Sequence, residues 1–377
     1  MPDPRRNFAA FLRDQYTTIF ARPWPVIPSA LIIAALNVFL FAFDRPWTAS
    51  EGLRNWGDTL LQLFGIVAQT DLLPPFLFSG SVLNLGLFVG ALAAALLSRE
   101  FGVRLAPVGE LVKGALGGLL MGWGAMLSFG CNIGGFFSAL SALSLSGVGM
   151  MAGLMIGSFA ATRYVIWERL RRIKKGQISS ISPCEAPPRA APGSAGFRAQ
   201  PVAGILLIAL SIGAGFLYAR LGHARLGNFF FFGLAFGVIL QRSRFCLVNA
   251  FREPFLSGQS ENTRAAALAL ALSMIGFAVL KATDLKDATE WVFPAFWLGS
   301  VVGGTVFGAG MVLAEGCGAG SIWRARTDLI RRLGSAIFLP NEIGWAGAVG
   351  GVAALMAIWY LLSGWNEQVR RVGVLKL

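Results

Sequence analysis

Histidine is almost absent from this chain, with one in 377 residues, and acids are scarce, 19 against 32 lysines and arginines. The four cysteines show no CxxC spacing and no grouping with histidine, so the side chains that build zinc and iron-sulfur sites are missing. No metal and no cofactor is expected. There is no phosphate-cradling P-loop, and no series of histidine and aspartate in the apolar stretches to carry protons. Charged residues are only 14% of the total, hydrophobic ones 55%, and mean hydropathy is +0.64, which excludes an ordinary soluble domain. The composition is that of a polytopic all-α membrane protein.

Apolar runs long enough to span a bilayer fall at about 25–43, 80–98, 114–130, 147–167, 201–219, 264–281, 295–316 and 343–363. Shorter apolar pieces lie at 57–68, 132–145, 229–245 and 247–257. Arg5, Arg6 and Arg13 precede a first run that has no small-residue cleavage site, the pattern of an uncleaved signal anchor. The net charge of +13 reports topology and not nucleic-acid binding, because the basic residues flank apolar runs instead of alternating with aromatics.

From Arg163 to Arg198 there are eight Lys or Arg and two acids, which assigns that segment to the cytoplasm. It divides the chain into an N-terminal membrane half, 1–167, a Pro/Ala-rich basic linker, 168–200, and a C-terminal membrane half, 201–377. Cys184, in the linker, reads as a solvent-facing thiol without a role. The basic C-terminal tail also favours the cytoplasm, which the run count does not deliver, so one short piece is miscounted.

What the chain does have is an internal duplication. Gly117, Gly118, Gly122, Gly124, Gly130, Cys131 and Gly134 recur 186 positions later as Gly303, Gly304, Gly308, Gly310, Gly316, Cys317 and Gly320. Lys113 places the start of the first copy inside, and Arg324, Arg326, Arg331 and Arg332 place the end of the second copy inside. The copies are therefore expected to be inverted, two pseudo-symmetric halves with broken or re-entrant Gly-Cys helices. Glycine-interrupted segments at matching positions of two halves point to a transporter binding site, because irregular backbone at membrane depth must be buried or line a cavity.

The candidate residues cluster at these breaks. Gly130, Cys131, Asn132 and Gly134 form the first; Glu315, Gly316, Cys317 and Gly320 form the second. The glycines also have the small-xxx-small spacing of close helix packing. Glycines around a thiol free backbone N–H groups at the start of a half-helix, which suits an anion. Glu315, an acid deep in an apolar run, is a functional candidate or the partner of a nearby arginine. A third cysteine, Cys246, follows Arg242 and Arg244 and precedes Asn249. The arginines read as positive-inside anchors, with Arg244 close enough in sequence to activate the thiol.

Gly-Cys-Asn-Ile-Gly-Gly, Arg-Ser-Arg-Phe-Cys followed by Ala-Phe-Arg-Glu, and Gly-Cys-Gly-Ala-Gly-Ser-Ile-Trp-Arg resemble signature segments of the YeeE/YedE family of sulphur-transport membrane proteins. The likeness runs from Trp56 to Trp365, and the stretch Trp56 to Gly65 with the long linker is most similar to the YedE branch, associated with selenium metabolism. The YeeE branch takes up thiosulfate. The resemblance implies a multi-pass protein of the bacterial inner membrane, a transporter and not an enzyme. In it an anion passes between the thiols of Cys131, Cys246 and Cys317 by S–H hydrogen bonds. It also implies a small cytosolic sulphur-relay protein as partner. The first half lacks a counterpart of the Arg-Ser-Arg-Phe-Cys segment; residues Leu61 to Asp71 stand in its place without cysteine.

Apolar surroundings keep such thiols neutral, and several weak donors hold a soft divalent anion loosely enough to release it. No Lys or Arg occurs between 114 and 162 or between 295 and 323 to bind it too tightly. The expected function is import of thiosulfate. The alternatives are transport of a selenium species, and a membrane-embedded sulphur transferase working through a thiolate. A scaffold recruiting a partner through the basic linker has no use for the repeated breaks.

Overall fold

The computed structural model describes residues 16–65, 72–101, 108–174, 195–293, 297–314 and 316. Among these, every regular element is helical: a short π-helix at Thr17–Ala21, then α1 (Val26–Phe43), α2 (Ser50–Leu63), α3 (Ser79–Leu97), α4 (Val108–Leu127), α5 (Asn132–Ser141), α6 (Leu145–Lys174), α7 (Ala195–Arg220), α8 (Ala224–Ser243), α9 (Leu247–Leu256), α10 (Glu261–Ala282) and α11 (Trp297–Leu313). Six of the described helical stretches are long and apolar enough to cross a membrane, seven if α4 and α5, bent by 42°, form one broken span. The run at 343–363 lies outside the described residues.

One piece read as short in the sequence is not. The run 229–245 belongs to the 20-residue helix α8, which begins at Ala224. Arg225, Gly227 and Asn228 interrupt the apolar pattern of its first turns, but the backbone needs no apolar side chains to wind there. Counting α8 as a crossing sets α4 and α11 in opposite directions. The amphipathic α2 likewise starts earlier than its apolar run, at Ser50, through the polar residues Glu51, Arg54 and Asn55.

The described chain forms two compact units. The first comprises residues 16–29, 82–101 and 195–245. Its core is a parallel contact of α3 with α8 through two GxxxG motifs, Gly86/Gly90 and Gly233/Gly237. A Cβ on any of the four would strike a backbone carbonyl of the facing helix, those of Phe230, Leu234, Leu83 and Leu87.

The second comprises residues 30–65, 72–81, 108–174, 246–293, 297–314 and 316. Here α11 lies between α4 and α6. Against α4, Cβ atoms built on Gly117 and Gly310 would each fall 2.7 and 2.6 Å from the other's carbonyl oxygen. Those on Gly124 and Gly303 would do the same at 2.6 and 2.7 Å, so the helices run antiparallel with backbone against backbone. Against α6 the contact is parallel, with Gly304 and Gly308 seated on Met150 and Leu154. The 30-residue α6 is about 45 Å long, more than a ~30 Å hydrocarbon core, so its last turns project beyond it. There Glu168 receives Lys113 of α4 at 2.5 Å and Arg172 at 2.7 Å.

Candidate functional site

Helix α4 stops because its C-terminus closes in a Schellman turn. The Gly130 N–H donates to the Ala125 carbonyl at 2.8 Å, and Phe129 occupies the left-handed position at φ +59° that glycine usually fills. The Ser128 hydroxyl donates back to the Gly124 carbonyl at 2.7 Å. Gly130 then crosses so close to Gly135 that a Cβ would lie 2.6 Å from the Gly135 nitrogen. Cys131 is extended (φ −81°, ψ 179°), and α5 begins at Asn132, wound as a π-helix to Ser138. Cys131 thus stands at an N-cap, a place for Ser, Thr, Asp or Asn, and its side chain makes no capping bond. It is 8% exposed, and Asn132 is fully buried.

Cys246 repeats the arrangement. It is extended (φ −142°, ψ 121°) at the N-cap of α9, its side chain again making no capping bond, and it is half-buried. The two half-helices meet: Phe136 of α5 and Phe251 of α9 pack edge-to-face with ring centroids 5.3 Å apart. Asn249, in the first turn of α9, accepts a bond from Arg252 at 3.2 Å. Gly316 closes the end of α11, its N–H donating to the Met311 carbonyl at 3.3 Å. Glu315, Cys317 and Gly320 lie outside the described residues, as does Cys184.

Arg244 ends α8 in the left-handed conformation, φ +55°, and donates to Glu100 at 3.2 Å. Buried Arg242 faces the same carboxylate at 3.8 Å and donates to the Arg22 carbonyl. The cation nearest in sequence to Cys246 is therefore engaged with an acid.

Other contacts at the breaks join residues far apart in sequence. On the Cys131 side, Trp291 Nε1 donates to the Gly134 carbonyl at 3.3 Å, and the Ser138 hydroxyl donates to the Trp47 carbonyl at 2.7 Å. Phe293 lies parallel to Phe129 with centroids 6.2 Å apart. Lys281 Nζ donates to the carbonyls of Ala142 and Ala288, at 3.1 and 2.9 Å. It brings a cation to the turn after α5, where the local sequence has none. In the same 283–293 loop, the Thr289 hydroxyl and N–H donate to Asp287 and hold its carboxyl below the usual aspartate range. On the Cys246 side, Asn262 of α10 receives the Cys246 N–H. Glu100, Asn262, Lys281 and Trp291 carry no motif and were not singled out by sequence.

No solved structure matches the chain. The chain is similar to the probable transporter YedE of Escherichia coli, 29% identical over 313 residues, 80% of this chain and 75% of the relative. It is also similar to the thiosulfate transporter TsuA of Spirochaeta thermophila, 38% identical over 106 residues, 28% of this chain and 32% of that protein. TsuA of Escherichia coli is 37% identical over 98 residues, 26% of this chain and 27% of that protein. The family model described as sulphur transport matches residues 4–160 and 242–371. With both Gly-Cys motifs and the Cys246 segment inside those matches, the chain belongs to the sulphur-transport family.

Proposed function

We propose that this multi-pass membrane protein imports a small sulphur-containing anion, thiosulfate first among candidates, by handing it between the thiols of Cys131, Cys246 and Cys317. The observation that carries the reading is the shared geometry of Cys131 and Cys246. Each thiol sits at the extended N-cap of a short helix, leaves that helix uncapped, and belongs to a pair of helices in mutual contact. An uncapped first turn presents N–H donors, and a thiol is a weak donor beside them. Together they bind a soft anion at several weak sites, from which it can leave. Gly130, Gly134, Gly316 and Gly320 are the glycines, and Asn132, Asn249, Arg244 and Glu315 the polar residues, that the sequence assigns to the binding segments.

The reciprocal pairing of Gly117 with Gly310 and of Gly124 with Gly303 supports inverted halves. Each glycine meets the duplicate of its neighbour, as a two-fold axis between the copies requires. With no energy source in the sequence, a cytosolic sulphur-relay protein that consumes the anion would draw it inward. The inner membrane is the expected location.

The test is uptake of labelled thiosulfate by cells or vesicles carrying the native chain, Cys131→Ala, Cys246→Ala or Cys317→Ala. The expected result is loss of uptake in each variant at normal membrane insertion. Native-level uptake in all three would overturn the relay. Uptake of a labelled selenium species and not of thiosulfate would keep the route and change the cargo. Covalent transfer would appear as a persulfide on Cys246 carrying the label of thiosulfate's outer sulfur, formed as the thiosulfate S–S bond breaks and sulfite is released.

A further inference from the structure

We propose that Asn262 is a positioning residue for Cys246 and that Glu253 fixes the orientation in which it works; this rests on the relay reading above. Helix α9 is ten residues long, too short to be stable in isolation. Its N-cap residue contributes no side-chain bond, so something else must hold the point at which the thiol departs from the backbone. That support comes from the next helix. The Cys246 N–H donates to Asn262 Oδ1 at 3.3 Å, Asn262 Nδ2 donates to Glu253 Oε2 at 3.0 Å, and the adjacent Thr263 hydroxyl donates to the Ala250 carbonyl at 2.6 Å. Two consecutive residues of α10 therefore grip α9 at its N-cap and at its fourth and seventh residues.

The polarity of this clamp is determined. A backbone N–H can only donate, so the oxygen end of the Asn262 amide faces Cys246. A carboxylate can only accept, so the nitrogen end faces Glu253. The Cys246 N–H forbids the flipped amide, and the ionised Glu253 carboxylate, two turns further along α9, holds the same orientation. The Cys246 backbone is held at its N–H, and with it the point from which the thiol departs toward the anion. Displacing a positioned donor by an ångström can cost about a hundredfold in rate.

The polarity makes the proposal testable by exchange. In Asn262→Asp, assayed at a pH alkaline enough that the two acids cannot share a proton, the acceptor for Cys246 survives, but its second oxygen confronts the Glu253 carboxylate and the clamp opens. Adding Glu253→Gln restores a donor opposite that second oxygen and closes it. The measurements are thiosulfate uptake and the rates of N-ethylmaleimide alkylation at Cys246 and Cys131, read peptide by peptide from the same membranes. For Asn262→Asp we expect uptake to fall about tenfold or more. Cys246 alkylation should change about threefold or more while Cys131 stays at its native rate. In the double variant both readouts should return to within about twofold of native. The proposal is overturned if Asn262→Asp leaves the Cys246 rate unchanged, shifts both cysteines alike, or is not rescued. Should Cys246→Ala retain native uptake, the relay reading falls. The ratio of the two alkylation rates still decides whether Asn262 holds the thiol.

Discussion

The two described thiols share one departure from ordinary residue choice: a cysteine stands where a helix start calls for an oxygen-bearing side chain. A serine there would turn inward and cap its own helix. Cys131→Ser and Cys246→Ser should therefore stabilise α5 and α9 by about 0.5–1 kcal/mol while lowering uptake, because the hydroxyl is committed to the backbone. Thermal unfolding in detergent beside the uptake assay checks the opposite signs. Phe129 is a second residue-scale case. Its left-handed backbone costs about 1–2 kcal/mol, offset by its stacking on Phe293. Both Phe129→Gly and Phe129→Ala lose the ring, but only glycine relieves the backbone. The glycine variant should be more stable than the alanine variant by about 1 kcal/mol, the reverse of their helix propensities, again by thermal unfolding.

At the scale of helices, the glycine seam separates positions that look alike in sequence. A methyl group at Gly117 presses on the Gly310 carbonyl and one at Gly303 on the Gly124 carbonyl, in both cases at 2.7 Å. Alanine at either should destabilise by about 1–3 kcal/mol, and the two costs should match within about 0.5 kcal/mol. Gly114, on the same helix as Gly117, has nothing within 4 Å of its Cβ direction. Gly114→Ala should stabilise by up to about 1 kcal/mol. Denaturant titration of the three variants provides the comparison. Sequence made most of these helices legible because a spanning helix needs an uninterrupted apolar run, and the described ones fall where those runs do. It failed at the starts of α2 and α8, where polar residues are wound into helix by context. Cys131 and Cys246 were legible as rare residues beside glycine or at the junction of a short apolar piece. Asn262, Lys281, Glu100 and Trp291 were not, because each acts through a contact 16 to 157 residues away, and no local pattern marks the partner.

For the whole molecule, the alternation of spans makes a prediction independent of substrate. Lys174, at the basic end of α6, and His223, in the turn between α7 and α8, are separated by one apolar helix. Cysteines introduced at Lys174 and His223 in a chain lacking its native cysteines should react with a membrane-impermeant maleimide from opposite sides. The 174 position should be reached from the cytoplasm and the 223 position from outside, as comparison of right-side-out with inverted vesicles would show. Labelling from the same side would remove α7 from the count and with it the opposed directions of α4 and α11.

The reciprocal seam between α4 and α11 also bears on what can move. Carriers that rock one bundle against another need a surface along which the bundles slide, and side chains supply it by changing rotamer. Here the two backbones touch at two levels, Gly117 with Gly310 and Gly124 with Gly303, and a carbonyl pressed against a glycine has no rotamer to change. The pair behaves mechanically as one girder. Sliding α4 along α11 would drive a carbonyl into the facing glycine at two levels, so a rearrangement of this unit has to carry the two helices together.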